Sequence, residues 1–283
     1  MSSPEILDRI VYGMVVLAIG EGMYSYWRKG NADPKEVAAN IGVWGLQRVW
    51  RAFSGVAVSY GILTFFYRYA PFKLDNKWIA WPFALIGADF IYYWKHRYEH
   101  EIRVLWAYHS IHHSSEEFNL STAMRLPIFG TLSTALFHVP LVLAGVSPVM
   151  VIVVRQLVLM YQYWVHSDSI GNLGWFERWF NTPSAHRVHH GSNARYIDKN
   201  YGGILILWDK VFGTFEPECA EEPVVYGLTK NIGTQNPLMI NFVEPLAIVR
   251  DVAGAYSLRD AAGFVFGPPG WKPKARLLAT ASN

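Results

Sequence analysis

The feature that most restricts how this chain can fold is an apolar block from Pro127 to Val165, about 39 residues with Arg155 as its only basic residue. At 1.5 Å per residue it is long enough for two helices that each cross a bilayer, which takes about 17–25 residues apiece. Gly145, Ser147 and Pro148 fall at its middle and predict the turn of a helical hairpin. Three earlier stretches share its character: roughly Ile10–Trp27, interrupted by Glu21; Phe53–Tyr69, nearly free of charge; and Trp78–Trp94, which carries Asp89. A shorter amphipathic stretch, Leu238–Val252, is broken by Pro245 and suits a helix lying on a membrane surface.

Composition agrees. Charged residues make up 17% of the 283, against about 25% in ordinary soluble domains. The 12 Trp and 16 Tyr suit the half-wet membrane interface. A net charge of +3 is too small to point to nucleic acid, and the lone Cys219 excludes an intramolecular disulfide and thiolate metal clusters. The expected fold class is therefore all-α: an integral-membrane helical bundle of about four to five spans with a cytosolic histidine-rich helical cap. Residues 1–95 are read as N-terminal membrane spans and 96–126 as a cytosolic histidine-rich region. Residues 127–166 are the hairpin, and 167–283 a cytosolic cap, interfacial helix and Pro/Gly/Lys/Arg-rich tail expected to be loosely held after Gly267. A hairpin returns the chain to the side it left. Basic residues crowd both flanks (Lys95, Arg97, Arg103 and Arg125 before it, Arg178, Arg187, Arg195, Lys199 and Lys210 after it) and none lies at its turn. The positive-inside rule then puts both flanks in the cytoplasm, in a bacterial plasma membrane or endoplasmic reticulum.

Histidine carries the chemistry. Nine of the ten histidines fall in four places: His96 and His100 in HRYEH; His109, His112 and His113 in HSIHH; His166 in QYWVH; His186, His189 and His190 in HRVHH. Residues three and four apart share a helix face, so each box aims its rings at one region. Neutral imidazole is the commonest metal-binding side chain, and eight or nine are too many for one ion. Two ions sharing them fits the count, though imidazole alone suits Zn, Cu, Fe and Ni alike. His166 ends the second hairpin arm with Gln162 one turn before it. His138, alone beside Pro140, reads as a satisfied buried histidine. Glu99, Asp198 and Asn200 flank the boxes and are candidates to hold the far ring nitrogens, as are Glu116 and Glu117. Asp89 lies two helical turns before His96 and suits the same task, since an acid in an apolar span is expensive. Arg125 reads as a headgroup contact or a marker of the membrane edge.

The HxxxH, HxxHH and HxxHH boxes, in this order and spacing, resemble the fatty acid hydroxylase/sterol desaturase superfamily over roughly residues 80–220. The stretches HHSSEEFNLSTAMR (His112–Arg125), which includes Asn119, and NTPSAHRVHHGSN…YIDKNYGGILILWDKVFGTFEPE (Asn181–Glu218) look like its alkylglycerol monooxygenase branch. The resemblance implies two iron ions held by His96, His100, His109, His112, His113, His186, His189 and His190, with His166 matching a further superfamily histidine. It also implies O₂-dependent hydroxylation of a membrane lipid C–H bond. Some members carry His where this chain has Gln162. No HPGG haem motif of a fused cytochrome b5 is present, so electrons come from a separate donor of cytochrome b5 or ferredoxin type, or from a small reductant. The branch implies tetrahydrobiopterin. Lipid or sterol desaturation is the alternative within the superfamily, and a non-catalytic metal- or haem-binding membrane protein the alternative outside it. Residues leave the oligomeric state open.

Overall fold

The computed structural model describes residues 3–29 and 33–273. Their regular elements are helices, with one isolated bridge between Phe180 and Leu205 in place of a sheet. The long helices are α1 (Ser3–Lys29), α2 (Pro34–Tyr67) and α3 (Lys77–Glu101), followed by the short α4 (Arg103–His113). The hairpin is α5 (Thr131–Phe137), α6 (Val139–Leu143) and α7 (Pro148–Trp164). After it come α8 (Pro183–His189), α9 (Leu207–Phe212), α10 (Pro237–Ala253) and α11 (Leu258–Phe266).

Four helices start with the same device, a polar cap followed by proline: Asp33–Pro34, Ser147–Pro148, Thr182–Pro183 and Asn236–Pro237. In each the cap side chain accepts an amide that the first turn leaves unpaired, and the proline sits where a missing N–H costs nothing. The hairpin turns where expected. Gly145 (φ +87°) approaches the Phe72 carbonyl so closely that a Cβ there would lie 2.8 Å from it, and the Gly145 carbonyl accepts from Leu74 N at 3.0 Å. This turn and the α2–α3 connection form one end of the bundle. The last turns of α3 and α7, with α4 and α8, form the other.

The hairpin arms differ from expectation in length. Pro140 has no N–H and its ring collides with the helical path, so the first arm breaks at His138 into pieces of 7 and 5 residues. The second arm, α7, has 17 residues, about 26 Å against a hydrocarbon core of about 30 Å. Among the described residues no single helix is long and apolar enough to cross a membrane; Pro34–Phe53 and Ala57–Tyr67 pass as a pair bent by 53°. Large apolar side chains nevertheless stand exposed along the long helices, Phe53 at 83% and Trp78 at 91% among them. The core lies between α3 and the hairpin: Ala84 and Ala88 meet Leu141, Val142, Val151, Val154 and Val158. The small α3 residues let the hairpin come close; a Cβ on Gly87 would lie 2.7 Å from the Leu141 side chain.

Helix α10 covers the expected amphipathic stretch and buries Ile240 against Ile111 of α4 and Val43 of α2, while Leu246 and Val249 stay exposed. Arg103 locks it to α4 through Glu244 and Asp251, both at 2.8 Å. Beyond Pro273 the tail lies outside the described residues, but its first part is held, Trp271 packing edge-on against Phe264 at 5.3 Å.

Arg125 departs from both readings made of it. It is 1% exposed and ties three segments together, donating to Glu36 Oε1 (2.6 Å) and Asn40 Oδ1 (2.9 Å) of α2 and to the Ile111 carbonyl (3.0 Å) beside His112. Removing one member of a buried ion pair strands the other, at a cost of about 3–5 kcal/mol. Arg125→Met is therefore expected to lower the unfolding midpoint of the detergent-solubilised protein sharply. Combining it with Glu36→Leu should recover part of the loss; a single variant as stable as the parent would contradict this role.

Candidate metal centre

Each histidine box is built by a different local rule. In α3, His96 and His100 are one turn apart on the helix end that faces away from the hairpin turn. In α4, His109 and His113 share a face while His112 is rotated off it; in α8, His186 stands on one face with His190, its C-cap, and His189 between. The two short helices therefore each serve two directions. The nine rings separate into two groups. His96, His100, His109, His113 and His189 form one; His112, His166, His186 and His190 form the other. Within each group the candidate ligand nitrogens all lie within 4.8 Å of one another. His113 and His190, one from each group, stack at 4.4 Å.

Hydrogen bonding does not account for this packing. His109 Nε2 lies 2.9 Å from His96 Nε2 and 3.1 Å from His113 Nε2; His166 Nε2 lies 3.0 Å from His112 Nε2 and 2.9 Å from His186 Nε2. A neutral imidazole nitrogen either donates one proton or offers one lone pair, so a single Nε2 cannot satisfy two such neighbours. Two nitrogens each about 2.1 Å from one cation, at a right angle, stand about 3.0 Å apart. The Nε2 atoms of His100, His189 and His190 are buried with no hydrogen-bond partner. The donor set thus fits a cation in each group.

The far ring nitrogens fix the tautomers. His96 Nδ1 donates to the Tyr201 carbonyl (2.9 Å), His166 Nδ1 to the Gln162 carbonyl (2.6 Å) and His189 Nδ1 to the Lys199 carbonyl (2.9 Å). A carbonyl only accepts, so the proton sits on Nδ1 and the Nε2 lone pair faces inward. Asp198 approaches His100 Nδ1 at 3.4 Å, and Glu99 lies 3.8 Å from His109 Nδ1 while pairing with Lys95.

Asp89 acts one layer out. It accepts from Ile204 N (2.6 Å), Leu205 N (3.2 Å) and Trp208 Nε1 (2.9 Å), fixing the loop whose Tyr201 carbonyl holds His96. Asn200, left-handed at φ 56°, links Ala185 of α8 to Glu216 by both backbone groups of the latter. Asn119 bonds Ser121 and Glu117 and touches no histidine ring among the described contacts. Gln162 turns its amide to the Gly203 carbonyl. Two residues that sequence reasoning passed over complete the loop. Asp209 accepts from Tyr201 N and Gly202 N, both at 2.7 Å, and Asn181 donates to the Gly202 carbonyl at 2.8 Å. Gly202 and Gly203 permit these approaches: a Cβ on Gly203 would lie 2.5 Å from Asp89 Oδ1. A pair of glycines beside an acid, in the sequence Gly202 to Asp209, was the available signal.

Two cavities reach the histidines. One of 730 Å³ opens between α4, α10 and the 227–231 loop onto His100, His113, His189 and His190. The other, 290 Å³, runs from His109, His112 and His166 into the bundle between α1, α2, α3, α5 and α7.

Burial disfavours the charged form of seven of the imidazoles. It pushes His96, His109, His113, His186, His189 and His190 well below the ordinary histidine value, and His112 down to about 4, with neighbouring imidazoles adding to the shift. The unfolded chain, titrating near 6.5, takes up protons first. Stability of the metal-free protein is thus complete above about pH 6.5 and lost as pH falls below it, by up to about 1.4 kcal/mol per pH unit for each imidazole. A denaturation midpoint unchanged between pH 7.5 and 5 would contradict the neutral cluster.

Residues 81–214 match the family described as fatty acid hydroxylase. The chain is 45% identical to the alkylglycerol monooxygenase of Homo sapiens over 212 residues, 75% of this chain and 47% of that one. It is 41% identical to the Xenopus tropicalis alkylglycerol monooxygenase over 228 residues, 80% and 50% of the two chains. With the ornithine lipid hydroxylase OlsE of Rhizobium tropici it shares 29% identity over 159 residues, 54% and 48%. The chain spans about half the length of these curated relatives. No solved structure matches it.

Proposed function

The chain belongs to the fatty acid hydroxylase superfamily and resembles its alkylglycerol monooxygenase branch, and from that premise we propose that it is a membrane-bound lipid hydroxylase that uses two iron ions, O₂ and an external reductant. The observation that carries the reading is the division of nine imidazoles, eight of them buried, into two adjacent groups, each with its ligand nitrogens converging. His96, His100, His109, His113 and His189 would hold one ion and His112, His166, His186 and His190 the other. Iron bound there would supply the activation of O₂ needed to oxidise an unactivated C–H bond.

The chain's own residues do the rest. The carbonyls of Tyr201, Gln162 and Lys199 keep protons on the outer ring nitrogens, so the donors stay aimed without rearrangement. Met14, Leu126, Leu159 and Met160 line the smaller cavity and suit a hydrocarbon chain, excluding water from the ground beside His109, His112 and His166. The wider cavity gives the other side of the cluster access to solvent and to an electron donor. Membrane attachment is supported by the apolar surface of the long helices, and the basic flanks of the hairpin favour a cytoplasmic active site. A bis-histidine haem needs a flat slot between its axial rings; here the interior is filled by nine rings in mutual contact.

The test is isotopic. Protein purified in detergent and loaded with ferrous iron is given a long-chain lipid, a reductant and ¹⁸O₂. One ¹⁸O atom is expected in the product, falling by about a hundredfold or more in His189→Ala and His190→Ala. Product that carries oxygen from water, or loses none in the variants, would overturn the assignment.

A further inference from the structure

The smaller cavity has a charge pattern that hydroxylation alone does not require. Its lining holds four cations, Arg48, Arg51, Lys95 and Arg155, and a single acid, Glu99. Glu99 is already paired with Lys95. Arg51 on α2 and Arg155 on α7 are half-buried, and among the described residues neither has a carboxylate within ion-pair distance or donates a hydrogen bond. Both line the one cavity, where the charge of Arg51 acts on Arg155 and that of Arg48 acts on Arg51. Every other deeply placed arginine in the fold has its counter-charge: Arg103 with Glu244 and Asp251, Arg125 with Glu36, Arg187 with Glu218. Ionisable side chains inside an apolar bundle are expensive, and like charges sharing one cavity are more so, unless a ligand supplies the opposite charge.

We propose that this cavity takes a long-chain amphiphile with an acidic head, a phosphate or carboxylate, whose anionic group sits between Arg51 and Arg155 while its chain runs toward His109, His112 and His166. The proposal rests on the hydroxylase reading and names its substrate class. Guanidinium groups present paired N–H donors that match such oxyanions. His138, whose Nδ1 donates to the Thr134 carbonyl at 2.7 Å, also lines the cavity. From Arg155 to Trp164, the last residue of α7, is nine positions, about 14 Å along the axis, and His166 lies two residues further on. The acidic group and the carbon presented to the histidines therefore belong to well-separated parts of one molecule.

Equilibrium dialysis in a non-ionic detergent, without O₂ or reductant, compares hexadecyl phosphate, palmitate and hexadecanol on the full chain. At least one acid is expected to bind about tenfold or more tightly than the alcohol of equal length, one charge-assisted contact's worth. Preference for the phosphate alone assigns a phosphate head; preference for both acids, or palmitate alone, assigns a carboxylate as acceptable. Arg51→Gln and Arg155→Gln should each remove most of that preference, and Arg155→Lys should keep part of it, with unfolding midpoints recorded to separate lost binding from lost fold. Equal affinity for acid and alcohol in the parent protein, or a preference untouched in folded Gln variants, would overturn the proposal. Because no turnover is involved, acid binding without ¹⁸O incorporation would sink the hydroxylase reading instead, and incorporation into neutral lipid without acid preference would sink only this one.

Discussion

Nine imidazoles packed together, eight of them buried, outnumber the hydrogen bonds available to them. Everything near the site is arranged to bear that cost. Burial disfavours charge on most of the rings, the outer nitrogens of His96, His166 and His189 are tied to carbonyls, and the inner lone pairs are left facing one another. Such an interior fits cations, which the converging lone pairs could share.

The surrounding fold is a rigid collar for that cluster. Asp89 and Asp209 gather the amides of residues 201–205, and the carbonyls of the same loop are then turned toward His96, Asn181 and Gln162. Arg125 and Glu36 fasten α2 to the end of α4, and Arg187 with Glu218 fastens α8 to the hairpin exit through the Ser167 and Ile170 carbonyls. Apart from the local ties of Asp209, these come from segments distant in sequence, so the rings are positioned by tertiary structure more than by the short helices that bear them. Glu21, costly in an apolar helix, joins in by accepting from Leu120 N and Ser167 Oγ.

Much of this was legible in the residues. Helical spacing brought together His96 with His100 and His109 with His113, and Gly145 with Ser147–Pro148 marked the hairpin turn. The caps before Pro34, Pro148, Pro183 and Pro237 could have located four helix starts. The five-and-four division was not legible, since it depends on how α3, α4, α7 and α8 are rotated against each other. Neither was the break at His138, where Pro140 overrode apolar length. Arg125 misled because its partners, Glu36 and Asn40, lie more than eighty residues away. Asp209 and Asn181 were missed because their task is to hold backbone, for which the Gly202–Gly203 pair was the available sign.

The most direct test of the two-cation account is metal content after reconstitution with ferrous iron, in the parent and in two double variants. His96→Ala/His109→Ala strips donors from one group only, and His166→Ala/His186→Ala from the other. About two ions per chain in the parent, falling to about one in each variant, is the predicted result, since each ion depends on its own imidazoles. A parent that takes up one ion or none, or a variant that keeps both, would contradict it.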